Sequence, residues 1–220
     1  MKVYFISGLA GDYRMFRSIR LPAPYEIIHL HWIEPYAGES LADYALRMSV
    51  SIDAEKPFGL VGLSMGGMIT AEIAKHRQPV FRVLLSSIRS ARELPWYFRM
   101  AGHLRLQHLV PVAIVKKVSY HKRMFTRETP ADKALLRDMI RSCDDRFIVW
   151  SMNAVLNWKE SAFPSPQLHI HGAADAVLPA RLTTPTHLLP RAGHLMVLTN
   201  AAEINKILER ELPRIDRLTA

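Results

Sequence analysis

A serine stands between glycines at i−2 and i+2 in Gly62-Leu63-Ser64-Met65-Gly66, part of the run VGLSMGGM. A serine hydroxyl is a weak nucleophile at neutral pH and attacks an acyl carbon only when a nearby base takes its proton. The base needs a third group to fix its tautomer and stabilise its cation. Ten histidines compete for the part of base. His194 fits best, since Arg191-Ala192-Gly193-His194 falls in a loop before the closing helix. Asp175 fits the orienting carboxylate, because His171-Gly172-Ala173-Ala174-Asp175 follows a short apolar run and opens a loop. Acyl transfer is the chemistry that Ser64, Asp175 and His194 can carry. Alone, the serine between glycines is equally a tight structural turn, so its setting decides.

That setting is strand-turn-helix. Val3 to Ser7 (VYFIS) predicts a strand running into the glycine turn GLAGD, and Tyr25 to Leu30 (YEIIHL) a second. Ser40 reads as the N-cap of a helix with Leu41, Tyr44, Ala45 and Met48 on one face. Phe58 to Leu63 (FGLVGL) predicts the strand before Ser64, and Met65 to His76 the helix after it. Phe81 to Leu85, Leu168 to Ile170 and His187 to Leu189 predict further strands, and Ala201 to Leu212 a last helix. Strands alternating with helices imply βαβ units and a parallel sheet. At a sharp strand-to-helix corner, side chains at i−2 and i+2 would collide, so both positions favour glycine; Gly67 serves the same crowding. The helix opening at Met65 points amides and the positive end of its dipole at Ser64, where charge develops in acyl transfer.

Residues 91 to about 160 break the rhythm. They predict helices around Trp96 to Leu109, after Thr129-Pro130-Ala131-Asp132, and through Phe147 to Trp158, punctuated by Pro95, Pro111, Pro130 and Pro164. Trp96, Met100, Met124, Met139, Trp150, Met152 and Trp158 are expected to pack this lobe, some of them lining a pocket. The same stretch holds 13 Lys/Arg against 7 Asp/Glu, net +6 of the chain's +9, and reads as a solvated basic face. No RNA-binding or helix-turn-helix signature accompanies the charge, so nucleic acid is not expected as a partner. At 220 residues and 49% apolar content the chain supports one well-buried unit. Cys143 is the single cysteine and no Cys/His cluster has metal-ligand spacing, which argues against a disulfide scaffold and a zinc module. With no signal-peptide pattern and no apolar run near the ~18 residues of a membrane span, a cytoplasmic protein is expected.

The elbow GLSMG, the acid motif HGAAD, the histidine motif AGH and a helical insertion between them, in this order, resemble the α/β-hydrolase superfamily over nearly the whole chain. The resemblance implies a three-layer α/β/α fold, with residues 1–90 and 161–220 as core and 91–160 as an inserted helical cap. VYFIS leads directly to the oxyanion loop, so the two antiparallel strands that usually precede it are expected to be missing, leaving a mostly parallel sheet of about six strands. The resemblance also implies catalytic roles for Ser64, Asp175 and His194, and an oxyanion hole from the backbone amides of Met65 and Leu9. Many members carry His-Gly-x where this chain has Ser7-Gly8-Leu9. The activity implied is hydrolysis of an ester, thioester or lactone of a small or medium apolar acyl substrate, needing no metal or organic cofactor. C–C bond hydrolysis or lyase chemistry is available to the same residues, and a binding protein without turnover is the reading from another class. His29, His31 and His169 read as packed core groups, and His103, His108 and His121 belong to the insertion. Asp12 and Arg14 read as turn cap and surface ion pair, Glu93 as the fallback acid, and Cys143 as an inert helical thiol.

Overall fold

The computed structural model describes residues 1–104, 111–118, 128–159 and 168–219. Six strands form one sheet: β1 (Lys2–Ile6), β2 (Glu26–Leu30), β3 (Phe58–Leu63), β4 (Phe81–Leu85), β5 (Leu168–Gly172) and β6 (His187–Leu189). Their order is β2-β1-β3-β4-β5-β6, and every adjacent pair is parallel. This is the parallel six-stranded sheet expected, with β1 already paired on both sides from Lys2. Parallel neighbours need crossovers, and α1 (Leu41–Met48), α2 (Met65–Ile73), α7 (Met196–Thr199) and α8 (Ala201–Thr219) lie in the core connections and at the closing end. Between β4 and β5 come α3 (Trp96–His103), α4 (Val112–Val118), α5 (Pro130–Ser142) and α6 (Asp145–Leu156), with no strand among the described residues.

Strand residues alternate between two cores, as a period of two requires when both faces of a sheet are covered. Val3, Phe5, Val61, Leu63, Val83 and Leu85 meet Met15, Phe16, α8 and the α5 residues Leu136 and Met139 on one face. Tyr4, Ile6, Phe58 and Leu60 meet α1, α2 and the α6 residues Phe147 and Trp150 on the other. The insertion therefore contributes to both cores: α5 to one and α6 to the other.

Local sequence explains the helix starts. The Ser40 side chain accepts the Asp43 amide at the head of α1. Thr129 and Asp132 form a reciprocal capping box at α5, with Pro130 at its first turn. α2 ends at Ile73, three residues before the expected His76, where Lys75, His76 and Arg77 turn their amides back onto Glu72 and Ile73 carbonyls. α8 runs past Leu212 to Thr219 through Pro213, because Leu208, Leu212 and Ile215 keep one apolar face on the core.

Trp150 and Trp158 are buried, but Trp96 and Met100 stand 64% and 47% exposed, which corrects the expectation that they pack the lobe. Met124, Pro164, His108 and His121 lie outside the described residues. Among the described residues no helix is long and apolar enough to cross a membrane.

Candidate active site

The strand order reverses between β1 and β3, so the loops leaving their carboxyl ends diverge and open a crevice there. Ser64 sits at that point, the one residue between β3 and α2, with φ +52° and ψ −119°. A non-glycine residue in that region is strained, at a cost of about 1–3 kcal/mol, and the surrounding contacts must hold it there. Three of them are visible. The Ser64 amide donates to Leu85 O at 3.0 Å, and Ser64 O accepts from the Gly67 amide at 2.9 Å and from Ser87 Oγ at 2.6 Å. The glycines answer to steric demand. A Cβ on Gly62 would lie 2.5 Å from Gly66 C and O, and one on Gly66 would lie 2.2 Å from Ile6 O. One on Gly67 would lie 2.2 Å from Ser87 Oγ.

Ser64 Oγ lies 3.0 Å from His194 Nε2, and His194 Nδ1 lies 2.8 Å from Asp175 Oδ2. The loops after β5 and β6 bring these two residues together from opposite ends of a 19-residue separation. Backbone bonds stitch the loops: Ala173 donates to Leu189 O at 3.0 Å and Ala174 to Ala192 O at 2.9 Å. Gly172 permits the approach, since a Cβ there would lie 2.3 Å from Ala192 O. Asp175 is 5% exposed, and its Oδ1 accepts the amides of Val177 at 2.8 Å and Leu178 at 2.9 Å. Burial works against its charge, but His194, His171 and the Leu178 amide outweigh it and hold its carboxyl well below the usual carboxylate range. Asp175 is therefore ionised at neutral pH and faces the Nδ1 of His194, which leaves Nε2 of the neutral imidazole able to accept a proton from Ser64.

Of the residues expected to supply the oxyanion amides, Met65 adjoins Ser64 in the chain and Leu9 follows Gly8, which packs on Ser64. Met65 follows it at the head of α2, and Gly8 packs so closely that a Cβ there would lie 3.2 Å from Ser64 Cβ. Neither the Leu9 nor the Met65 amide donates to another backbone group outside helix and strand pairing among the described residues. Ser7, standing where many α/β-hydrolases have histidine, is buried, its hydroxyl in the space a Gly11 side chain would need.

Other singled-out residues lie elsewhere. Asp12 caps the short turn Tyr13–Phe16 and binds the Arg14 guanidinium, which also reaches Asp138 of α5 at 2.7 Å. Glu93 accepts the amide and Nε of Arg89. Cys143 terminates α5 rather than lying within it, and burial pushes its thiol up to about 11. His31 is exposed, correcting its reading as a core group, whereas His29 stacks on Phe16 and His169 is buried. Sequence reasoning missed Ser87 and His171 as neighbours of the site. His171 carried a signal within HGAAD; Ser87 had none, because its contact with Ser64 arises only through β3–β4 pairing.

A family model described as the alpha/beta hydrolase family matches residues 8–207. No curated protein matches the sequence. Among solved structures, the chain is similar to a thermophilic esterase from Thermogutta terrifontis at 18% identity, covering 98% of this chain and 90% of that one, with a TM-score of 0.75. MenH from S. aureus is similar at 14% identity, covering 100% and 94%, with a TM-score of 0.73. Est816, described as an N-acyl homoserine lactone degrading enzyme, is similar at 18% identity, covering 94% and 92%, with a TM-score of 0.71. At such identities the likeness concerns the fold.

Proposed function

Because the chain belongs to the alpha/beta hydrolase family, we propose that it is a serine hydrolase that cleaves an ester, thioester or lactone of a small or medium apolar acyl substrate. One observation carries the reading: the hydrogen-bonded line from Ser64 Oγ through His194 to Asp175, at 3.0 and 2.8 Å. His194 Nε2 takes the Ser64 proton as Oγ attacks the acyl carbon. The backbone amides of Leu9 and Met65 receive the oxyanion, a contact typically worth ~10²–10³ in rate per donor. His194 then gives its proton to the leaving group, and the same imidazole activates the water that releases the acid. Asp175, charged and held by two backbone amides, keeps the tautomer and stabilises the imidazolium. The apolar cluster around Met65 also takes in Leu9, Trp32, Phe147, Val177 and Leu178, which supports an apolar acyl group beside Ser64. Helices α3–α6 form the cap of this reading, and the lone thiol suits a cytoplasmic enzyme. One fold carries neighbours described as an esterase and as an N-acyl homoserine lactone degrading enzyme, so the substrate class is decided by experiment.

A fluorophosphonate probe tests the proposal, paired with a panel of p-nitrophenyl esters, thioesters and lactones of varied acyl length. Wild type should be labelled and turn over at least one acyl class, and Ser64→Ala should lose both. Equal labelling of the two proteins, or labelling of neither, overturns it.

A further inference from the structure

Two buried imidazoles stand behind Asp175 that the acyl-transfer steps do not use. His169 and His171 point to the same side of β5, and their side chains are 1% and 0% exposed as residues. His171 Nε2 lies 2.7 Å from Leu178 O and 3.3 Å from Asp175 Oδ2. His171 Nδ1 lies 3.1 Å from His169 Nε2. The Leu178 carbonyl settles one of the protons. A carbonyl oxygen only accepts, so the hydrogen between His171 and Leu178 sits on His171 Nε2. A single hydrogen then joins His171 Nδ1 to His169 Nε2 across 3.1 Å. Burial and the neighbouring His171 push His169 down to about 3, so it stays neutral in this arrangement.

The bond from His171 closes a circuit. His171 Nε2–H holds the Leu178 carbonyl, the Leu178 amide holds Asp175 Oδ1 at 2.9 Å, and Asp175 Oδ2 faces both the His171 N–H edge and His194 Nδ1. The far end of the turn, at Leu178, is thereby fastened to the sheet interior through His171, while the Asp175 amide holds its near end to Gly172 O at 3.2 Å. Only an N–H at the Nε2 position of residue 171 performs that fastening. A side chain of similar bulk without it would leave Leu178 O buried without its donor and the carboxylate able to turn away from His194.

We propose that His171, oriented by His169, is a positioning residue that sets the Asp175 carboxylate for His194. The inference rests on the reading of Ser64, His194 and Asp175 as the hydrolytic machinery. Its action is on the chemical step, so kcat responds and KM does not.

Two substitutions separate this role from simple packing. His171→Gln places an amide nitrogen where Nε2 stood and keeps the donor; His171→Asn keeps polar atoms only at the Nδ1 level and loses it. With the best p-nitrophenyl ester from the panel, His171→Asn should lower kcat by about 10–100-fold, the scale of a mispositioned catalytic group, with KM within about threefold. His171→Gln should stay within about fivefold of wild type in kcat. Thermal unfolding of each variant accompanies the kinetics. Should His171→Asn fail to fold, His169→Phe and His169→Gln carry the same contrast one ring further back, the phenylalanine losing kcat and the glutamine keeping it. Equal losses in the Gln and Asn variants, or wild-type kcat in a folded Asn variant, overturn the inference. Ser64→Ala and Asp175→Asn run alongside. If they retain activity, the hydrolase reading itself fails; if they lose it while His171→Asn does not, only the positioning role fails.

Discussion

Replacing Gly66 by alanine adds one methyl group at the place where the two halves of the crevice touch. An ideal Cβ there lies 2.2 Å from Ile6 O, 2.4 Å from Ser7 O and 2.7 Å from Ile6 C, against an ordinary contact of 3.4 Å or more. All three atoms are backbone, so no rotamer change relieves the overlap. About 1 Å of separation between α2 and the end of β1 must open. Ile6 and Ser7 lead directly into Gly8 and Leu9, so that movement carries the Leu9 amide away from the position proposed for the oxyanion. A displacement of this size costs about 10²-fold in rate, and losing the donor outright costs ~10²–10³. Overpacking a fitted core costs about 1–3 kcal/mol, from which the helix preference for alanine over glycine returns roughly 0.5–1. Gly66→Ala should therefore lower kcat/KM on a p-nitrophenyl ester by at least about 10²-fold while melting only a few degrees below wild type. The assay is steady-state hydrolysis on protein shown folded by circular dichroism, with fluorophosphonate labelling rate as a second reading of Ser64. A folded Gly66→Ala protein with kcat/KM within about threefold of wild type would refute the claim that this contact sets the oxyanion geometry.

Ser87→Ala removes the hydroxyl that donates to Ser64 O at 2.6 Å and leaves Ser64 held in its strained conformation by one fewer bond. Stability should fall by about 1–2 kcal/mol in urea titration, and labelling of Ser64 should slow several-fold; unchanged labelling counts against Ser87 as a support of the elbow. His169 gives a pH dependence with a definite sign. Its folded value, pushed down by burial to about 3, lies below the unfolded 6.5, so the unfolded chain binds the extra proton between those limits. Stability is then full above about pH 6.5 and is lost as pH falls, by about 2 kcal/mol from pH 7 to 5. Asp175, held low, acts in the same direction only below about pH 4, outside this window. Urea midpoints measured at pH 7 and pH 5 check this, and His169→Gln should flatten the difference; an unchanged slope in that variant would assign the effect elsewhere.

The parts of this protein legible in its sequence are those that short-range sterics or patterning dictate. The run FGLVGL announces a buried parallel strand because both faces are apolar, FRVLL does so by its length and apolar majority in spite of Arg82, and Ser40 and Thr129 announce helix starts because their side chains bond amides three residues on. The spacing of Gly62 and Gly66 around Ser64 is a local consequence of one corner, so it survives in the sequence. Contacts made across the sheet leave no such mark. Ser87 reaches Ser64 from just beyond the end of the neighbouring strand β4, where only the pairing of β3 with β4 brings it. The exposure of Trp96 and Met100 was hidden for a related reason: hydrophobicity states what a side chain prefers, and α3 lends its buried side to Gly102 instead, where a Cβ would lie 2.6 Å from Leu156 O. The extension of α8 through Pro213 follows from packing that overrides a local breaker.

The line from Ser64 to His194 joins residues 130 positions apart, and His194 and Asp175 hang on loops that leave the last two strands, β6 and β5. Closing so long a loop is entropically costly and, in chains dominated by distant parallel pairings, slow. During refolding, then, helical signal and the inner strands β1, β3 and β4 can be restored while turnover is still absent. Recovered hydrolysis becomes a clock for the arrival of the carboxyl-terminal third of the chain, read at the very step that a spectroscopic probe of the inner core does not see.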